Sequence, residues 1–223
     1  MTPAQFNNLA RSQGRGFGLL FDLDDTLVDT SETFDACVLQ LSGATREELL
    51  TLRSQGGFND DWQAVQEFLR RSGISRSLAE IEEQGQELYL EIAPGMEPLL
   101  VSLERIKSLR ARHPLLIFTG RVRAEYAPIW GHRLDPLFDE ILCKNDPGVH
   151  HTKPHPQGLQ LLLQRHQLKF GAYVGNSVDD MAAARAAGLL ALGVTTNQSA
   201  ETLIQAGAQL VATSVDEILA WLQ

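Results

Sequence analysis

Cysteine is nearly absent from the chain: two residues in 223, beside three methionines and three tryptophans. Cys37 and Cys143 are far apart and form neither a CxxC pair nor a metal-ligand spacing. They read as reduced thiols of a cytoplasmic protein, which excludes a disulfide framework and a zinc site. Long apolar runs are also missing. None reaches the roughly 18 residues of a membrane span, and the opening MTPAQFNNLARSQGRG has no apolar signal-peptide core. A soluble protein with no membrane partner is expected. Basic residues are in deficit, 19 Lys and Arg against 28 Asp and Glu, for a net charge of -9. Nucleic acid is held largely by basic surfaces and is not an expected partner. An anionic small molecule would have to meet a local positive spot.

The length suits one sizeable domain or a domain carrying a smaller insertion. Short apolar runs flanked by turn signals predict strands at Phe17 to Phe21, Leu115 to Phe118, Ile141 to Cys143, Ala172 to Val174, Leu190 to Val194 and Leu210 to Ala212. Helical patterns lie between most of them. Leu99, Leu103, Ile106 and Leu109 recur behind Pro98, which suits a first helical turn, and Val215, Ile218, Leu219 and Leu222 follow a capping box at Ser214 to Glu217. Such alternation predicts an α/β fold with a mostly parallel sheet and ligands beyond the carboxyl ends of its strands. From Thr30 to Ile92 only helix signals occur: Phe34, Val38 and Leu41; a box at Thr45 to Glu48; Trp62, Val65, Phe68 and Leu69; and a box at Ser77 to Glu80. This segment is too long for one βαβ crossover of about 30 residues. The expected organisation is a discontinuous core, 1–29 and 93–223, interrupted by a helical domain at 30–92.

The stretch FDLDDTLVDT places Asp22, Asp24 and Asp25 at the end of the first predicted strand. A solvated turn capping a helix would explain an isolated DxD. A calcium loop fails, because its sixth and twelfth positions need Gly and Glu where this chain has Leu27 and Thr33. A magnesium and phosphoryl-transfer site needs partners elsewhere, and three follow predicted strands. Thr119-Gly120-Arg121 offers a hydroxyl and backbone amides, Lys153-Pro154 a cation, and Gly175-Asn176-Ser177-Val178-Asp179-Asp180 a second acidic turn. His150, His151 and His155 read as loop residues, because Pro154 and Pro156 interrupt any helix that would align them.

DLDDT, TG, KP and GNSVDD, in that order, resemble the four motifs of the haloacid dehalogenase superfamily. The helical insertion resembles the cap of its subfamily IA, and TGRVRAEY with GGFNDDW is similar to the phosphoglycolate phosphatase-like group. The resemblance implies a Rossmann-like parallel core with an α-helical cap, and a Mg²⁺-dependent phosphatase acting on a small phosphorylated metabolite. By the same resemblance Asp22 is the nucleophile, Asp24 the acid and base, Thr119 a phosphoryl-oxygen ligand and Lys153 the neutralising cation. Metal contacts map to Asp22, the carbonyl of Asp24, Asn176 and Asp180. Asn176 stands where the family most often has Asp, and an uncharged amide lowers metal affinity unless a neighbour compensates. Gly120, Arg121 and Arg123 are expected to extend the positive pocket toward the substrate, and Asn59 and Trp62 to contact it from the cap. A phosphomutase and a catalytically weak phosphate-binding module remain alternatives. Either a monomer or a homodimer is compatible with the sequence.

Overall fold

Phe17–Phe21 form β1, with all five residues buried. Continuous burial without alternation marks a strand covered on both faces. The computed structural model describes residues 1–54 and 60–222. Ahead of β1, Pro3–Gln13 form α1, an element the sequence reading did not anticipate. Its start carries a local marker all the same. The Thr2 hydroxyl accepts from the Gln5 amide while the Gln5 side chain accepts from the Thr2 amide, with Pro3 at the first helical position. Phe6 of α1 is fully buried between Phe17 and Trp221, with ring centroids 6.0 and 6.5 Å away.

The chain divides into two compact units, 1–29 with 98–223, and 30–97. The second is helical: α2 (Ser31–Ser42), α3 (Arg46–Ser54), α4 (Asp61–Arg71) and α5 (Leu78–Met96). Val38, Leu49, Leu52, Val65, Phe68 and Ile81 are among the residues that form its core. Phe34 stacks on Tyr89 at 5.2 Å. Gly85 leaves room for the Trp62 ring, which a Cβ there would meet at 2.4 Å. The boxes at Thr45 and Ser77 form as expected. The unit ends at residue 97 rather than 92, because α5 continues through Pro94. The Tyr89 hydroxyl lies 3.1 Å from both carboxylate oxygens of Glu97, where the helix stops.

The first unit resumes at Pro98. Leu99 does not begin a helix as its spacing implied: it pairs with Val28, and the Leu100 amide donates to the Leu27 carbonyl at 2.9 Å. That pairing pulls the segment into extended form, so α6 starts at Leu103 (Leu103–Arg110). There follow β2 (Leu115–Thr119), α7 (Arg123–Tyr126), α8 (His132–Leu134), β3 (Glu140–Cys143), α9 (Gln157–Arg165), β4 (Phe170–Gly175), α10 (Val178–Ala186), β5 (Leu190–Val194), α11 (Ala200–Gln205), β6 (Leu210–Ala212) and α12 (Val215–Trp221). A five-residue π-helical segment, Ala127–Gly131, joins α7 to α8.

The six strands run in the order β3-β2-β1-β4-β5-β6, every pairing parallel. This is a Rossmann-like α/β core. Successive strands leave β1 in opposite directions, toward β2 and toward β4, and ligands of such sheets bind beyond the carboxyl ends at that switch. Among the described residues no helix is long and apolar enough to cross a membrane.

Neither cysteine is in a disulfide, and both are buried. Burial chiefly pushes the Cys143 thiol up to about 12, with Arg123 opposing and Asp146 adding. Unfolded, the thiol ionises near its ordinary value of 9.0. This group therefore contributes stability that is intact below that pH and is lost as pH rises toward about 12. A maleimide is expected to leave the native protein unlabelled at pH 8 and to label both cysteines in urea, read by intact mass.

Candidate active site

The end of β1 is continued by backbone pairing, since the Asp22 amide donates to the Val174 carbonyl at 2.8 Å. The chain then turns sharply. Leu27 and Val28 amides both donate to the Leu23 carbonyl, and Asp25 takes φ 53, a left-handed conformation that aspartate tolerates better than most residues. Leu23 and Leu27 point into the core at 0% exposure, so Asp22, Asp24 and Asp25 are left at the strand end. Asp22 is itself buried at the strand end, while Asp24 and Asp25 are half-buried in the turn.

Lys153 reaches this point from the loop before α9. Its Nζ lies 2.7 Å from Asp22 Oδ1 and 2.7 Å from Asp180 Oδ1. Burial works against the ammonium, but Asp180 and Asp22 outweigh it and hold its pKa well above the ordinary lysine value. Asp22 is pushed up to about 8, first by burial and further by Asp180 and Asp24, with Lys153 opposing. Across the site Asp24 is held at both oxygens: Arg121 Nε donates at 2.5 Å and the Thr119 hydroxyl at 3.3 Å. Arg121 itself is 2% exposed.

Asp180, expected among the metal ligands, is engaged by neighbouring donors at both oxygens. One oxygen accepts from Lys153, and the Tyr173 hydroxyl, 3.3 Å from it, lies closer to the Phe118 carbonyl at 3.0 Å. The other accepts from the Asn176 amide, the Ser177 amide and the Ser177 hydroxyl at 3.1, 3.0 and 2.6 Å. A carboxylate offers about four lone-pair directions, and Lys153, the two amides and the Ser177 hydroxyl occupy them. Asp180 braces Lys153 and the start of α10. Its approach also explains Gly175, where a Cβ would lie 2.4 Å from Asp180 Cγ.

Asn176 follows β4 with its amide oxygen accepting from the Thr26 hydroxyl at 3.1 Å and its nitrogen donating to Asn197 at 2.7 Å. Three carboxyl groups, Asp22, Asp24 and Asp180, face two cations, Lys153 and Arg121, so oxygen donors outnumber the cations. Among the described residues no three His, Cys, Asp or Glu side chains gather as a metal cage. Mg²⁺ does not require one, since it keeps several waters and takes one or two protein carboxylates plus substrate oxygens. An excess of hard oxygen donors around a desolvated Asp22 fits that ion.

The structure thus brings together Asp22, Asp24, Thr119, Arg121, Lys153, Asn176 and Asp180. Gly120 is exposed in the turn after β2, with no atom within 4 Å of where a Cβ would stand. Arg123 is not part of the cluster. Its guanidinium binds Asp146 and the Ile141 carbonyl and lies over the Tyr126 ring, so it ties α7 to the end of β3. Trp62 belongs to the helical unit and packs there against Phe34. Asn59, with Gly56, Gly57 and Phe58, lies outside the described residues. The His151 and His155 rings adjoin at 4.3 Å in the loop, and His155 Nδ1 accepts from the Gln157 amide. Sequence reasoning missed Tyr173, which reads as an ordinary core aromatic, as well as Thr26 and Asn197.

An imidazoleglycerol-phosphate dehydratase of Phytophthora nicotianae is 27% identical over 201 residues, covering 81% of this chain, while the chain spans only 44% of that protein. A phosphoglycolate phosphatase of Pectobacterium atrosepticum is 27% identical over 192 residues, 80% of each protein. The crystal structure of a predicted phosphoglycolate phosphatase from Haemophilus somnus superposes with a TM-score of 0.79 over 93% of this chain and 99% of that one, at 22% identity. The family model described as haloacid dehalogenase-like hydrolase matches residues 18–188, a span that holds all the clustered site residues, and the chain therefore belongs to the haloacid dehalogenase-like hydrolase family.

Proposed function

We propose that the chain is a Mg²⁺-dependent phosphatase of a small phosphorylated metabolite, working through an aspartyl phosphate on Asp22, with Thr30–Glu97 as the family's helical cap. The observation that carries this reading is the sharing of one buried ammonium, Lys153, between Asp22 and Asp180, with Asp24 pinned two residues further on. The phosphoglycolate phosphatase relatives support it.

In the first step the ionised form of Asp22 attacks phosphorus, the ester P–O bond breaks, and Asp24, entering the step protonated at the oxygen that Thr119 releases, gives that proton to the leaving alkoxide. In the second, water attacks the aspartyl phosphate, Asp24 takes the water's proton, and the Asp22–phosphorus bond breaks to release phosphate. Lys153 offsets charge between Asp22 and the phosphoryl oxygens, and the Thr119 hydroxyl can turn from Asp24 to a phosphoryl oxygen. Arg121 keeps the Asp24 carboxylate in place during both proton transfers. Asp22, the Asp24 carbonyl and the Asn176 oxygen would hold Mg²⁺, which screens Asp22 from the incoming dianion.

The test is phosphate release from a panel of small phosphate esters. Turnover is expected with millimolar Mg²⁺, to vanish on chelation with EDTA, and to return when Mg²⁺ is restored. Appearance of an isomeric ester without free phosphate would replace this reading with a mutase. No reaction with any ester would leave a binding module.

A further inference from the structure

Behind Asn176 a line of side chains crosses three loops of the core. Asn176 Nδ2 donates to Asn197 Oδ1 at 2.7 Å, and Asn197 Nδ2 donates to Asp25 Oδ2 at 2.9 Å. Asp25 lies in the turn after β1, Asn176 directly after β4, and Asn197 between β5 and α11. The direction of this line follows from donor and acceptor chemistry. An ionised carboxylate only accepts, so Asn197 must turn its NH₂ toward Asp25 and its oxygen toward position 176. That oxygen needs a donor. An amide at 176 supplies one, whereas a carboxylate there would face oxygen with oxygen. Once the Asn176 nitrogen is committed, its oxygen is the atom left for Thr26 and for the site.

We propose that Asn197 is a positioning residue: the Asp25–Asn197 pair selects an amide at position 176 and aims its oxygen at the cation site. The uncharged residue is then a matched part of a relay that begins at Asp25. The inference rests on the phosphatase reading only for the cation. The direction of the relay is tested in metal-free protein.

The relay can be reversed as a unit. In Asp25→Asn combined with Asn176→Asp the net charge is unchanged. Asn197 can then flip, donating to the new carboxylate at 176 and accepting from the new amide at 25. Asparagine also tolerates the left-handed backbone at 25. Melting midpoints are to be measured without metal for the native chain, each single variant and the pair, then for the same four in an Asn197→Ala background. Asn197 is exposed, so that background is expected to fold. Asn176→Asp alone is expected to lower the midpoint by about 2–6 °C. Adding Asp25→Asn should recover more than half of that loss, and the recovery should vanish without Asn197. Simple charge repulsion between positions 25 and 176 would survive Asn197→Ala, so recovery that persists there overturns the relay, as do purely additive effects.

Calorimetric titration with Mg²⁺ provides the second readout, with Asn197→Ala expected to weaken binding about tenfold. Unchanged Mg²⁺ affinity in that variant overturns the positioning role even where the midpoints couple. Absence of Mg²⁺ binding to the native protein would count against the phosphatase reading and against the aim at a cation, while the melting cycle would still decide the amide selection.

Discussion

Asp22→Asn is expected to abolish Mg²⁺-dependent phosphate release by roughly 10⁴-fold or more while leaving the fold as stable as before. The two halves of this expectation come from the same burial. Asp22 is 5% exposed, and its carboxyl is pushed up to about 8 chiefly because burial disfavours its charge. An amide of the same shape removes that penalty. Lys153 then loses one carboxylate at 2.7 Å but keeps Asp180 at 2.7 Å, so the ammonium stays paired. A melting midpoint within about 3 °C of native corresponds to roughly 1 kcal/mol for a chain of this size. Loss of turnover with an unmoved midpoint assigns Asp22 to the chemistry. Retained turnover would remove the aspartyl phosphate and with it the proposed mechanism. Turnover lost together with a large fall in midpoint would show that Asp22 serves packing as well, and that the activity loss alone assigns nothing.

Much of the fold was legible because the strands are buried on both faces. β1, β5 and β6 occupy the predicted residues, since each is an apolar run closed by turn signals. The reading failed where a distant partner overrode a local pattern. Leu99 has helical spacing to Leu103, yet Val28, seventy-one residues earlier, claims it for a bridge. In the site the same division holds. Asp22, Asp24, Thr119 and Lys153 could be named because each follows a predicted strand in motif order. Arg123 sits two residues from Arg121 and carries the same charge, but only the structure shows that Asp146 takes its guanidinium and Asp24 takes that of Arg121. Asn197 had no local mark, because its role depends on two residues in other loops.

Asp180→Asn is expected to be nearly as damaging as Asp180→Ala, although asparagine matches aspartate in size. Both oxygens of Asp180 must accept: one faces Lys153, the other two backbone amides and the Ser177 hydroxyl. An amide has one oxygen and one NH₂. Turned one way it sets donors against Lys153; turned the other, against the amides that start α10. Either way a donor buried at 1% exposure is left facing a donor, and Lys153 retains only Asp22. A buried donor left facing a donor costs about 1–3 kcal/mol, which for this chain length lowers the melting midpoint by roughly 2–12 °C. Lys153→Ala removes the ammonium instead, and Asp22, already raised to about 8, can relieve the site by holding a proton at neutral pH. Its midpoint should therefore fall less than that of Asp180→Asn, even though phosphate release is lost in both. The reverse order of midpoints would mean that the lysine, and not the carboxylate at the start of α10, holds the cluster together.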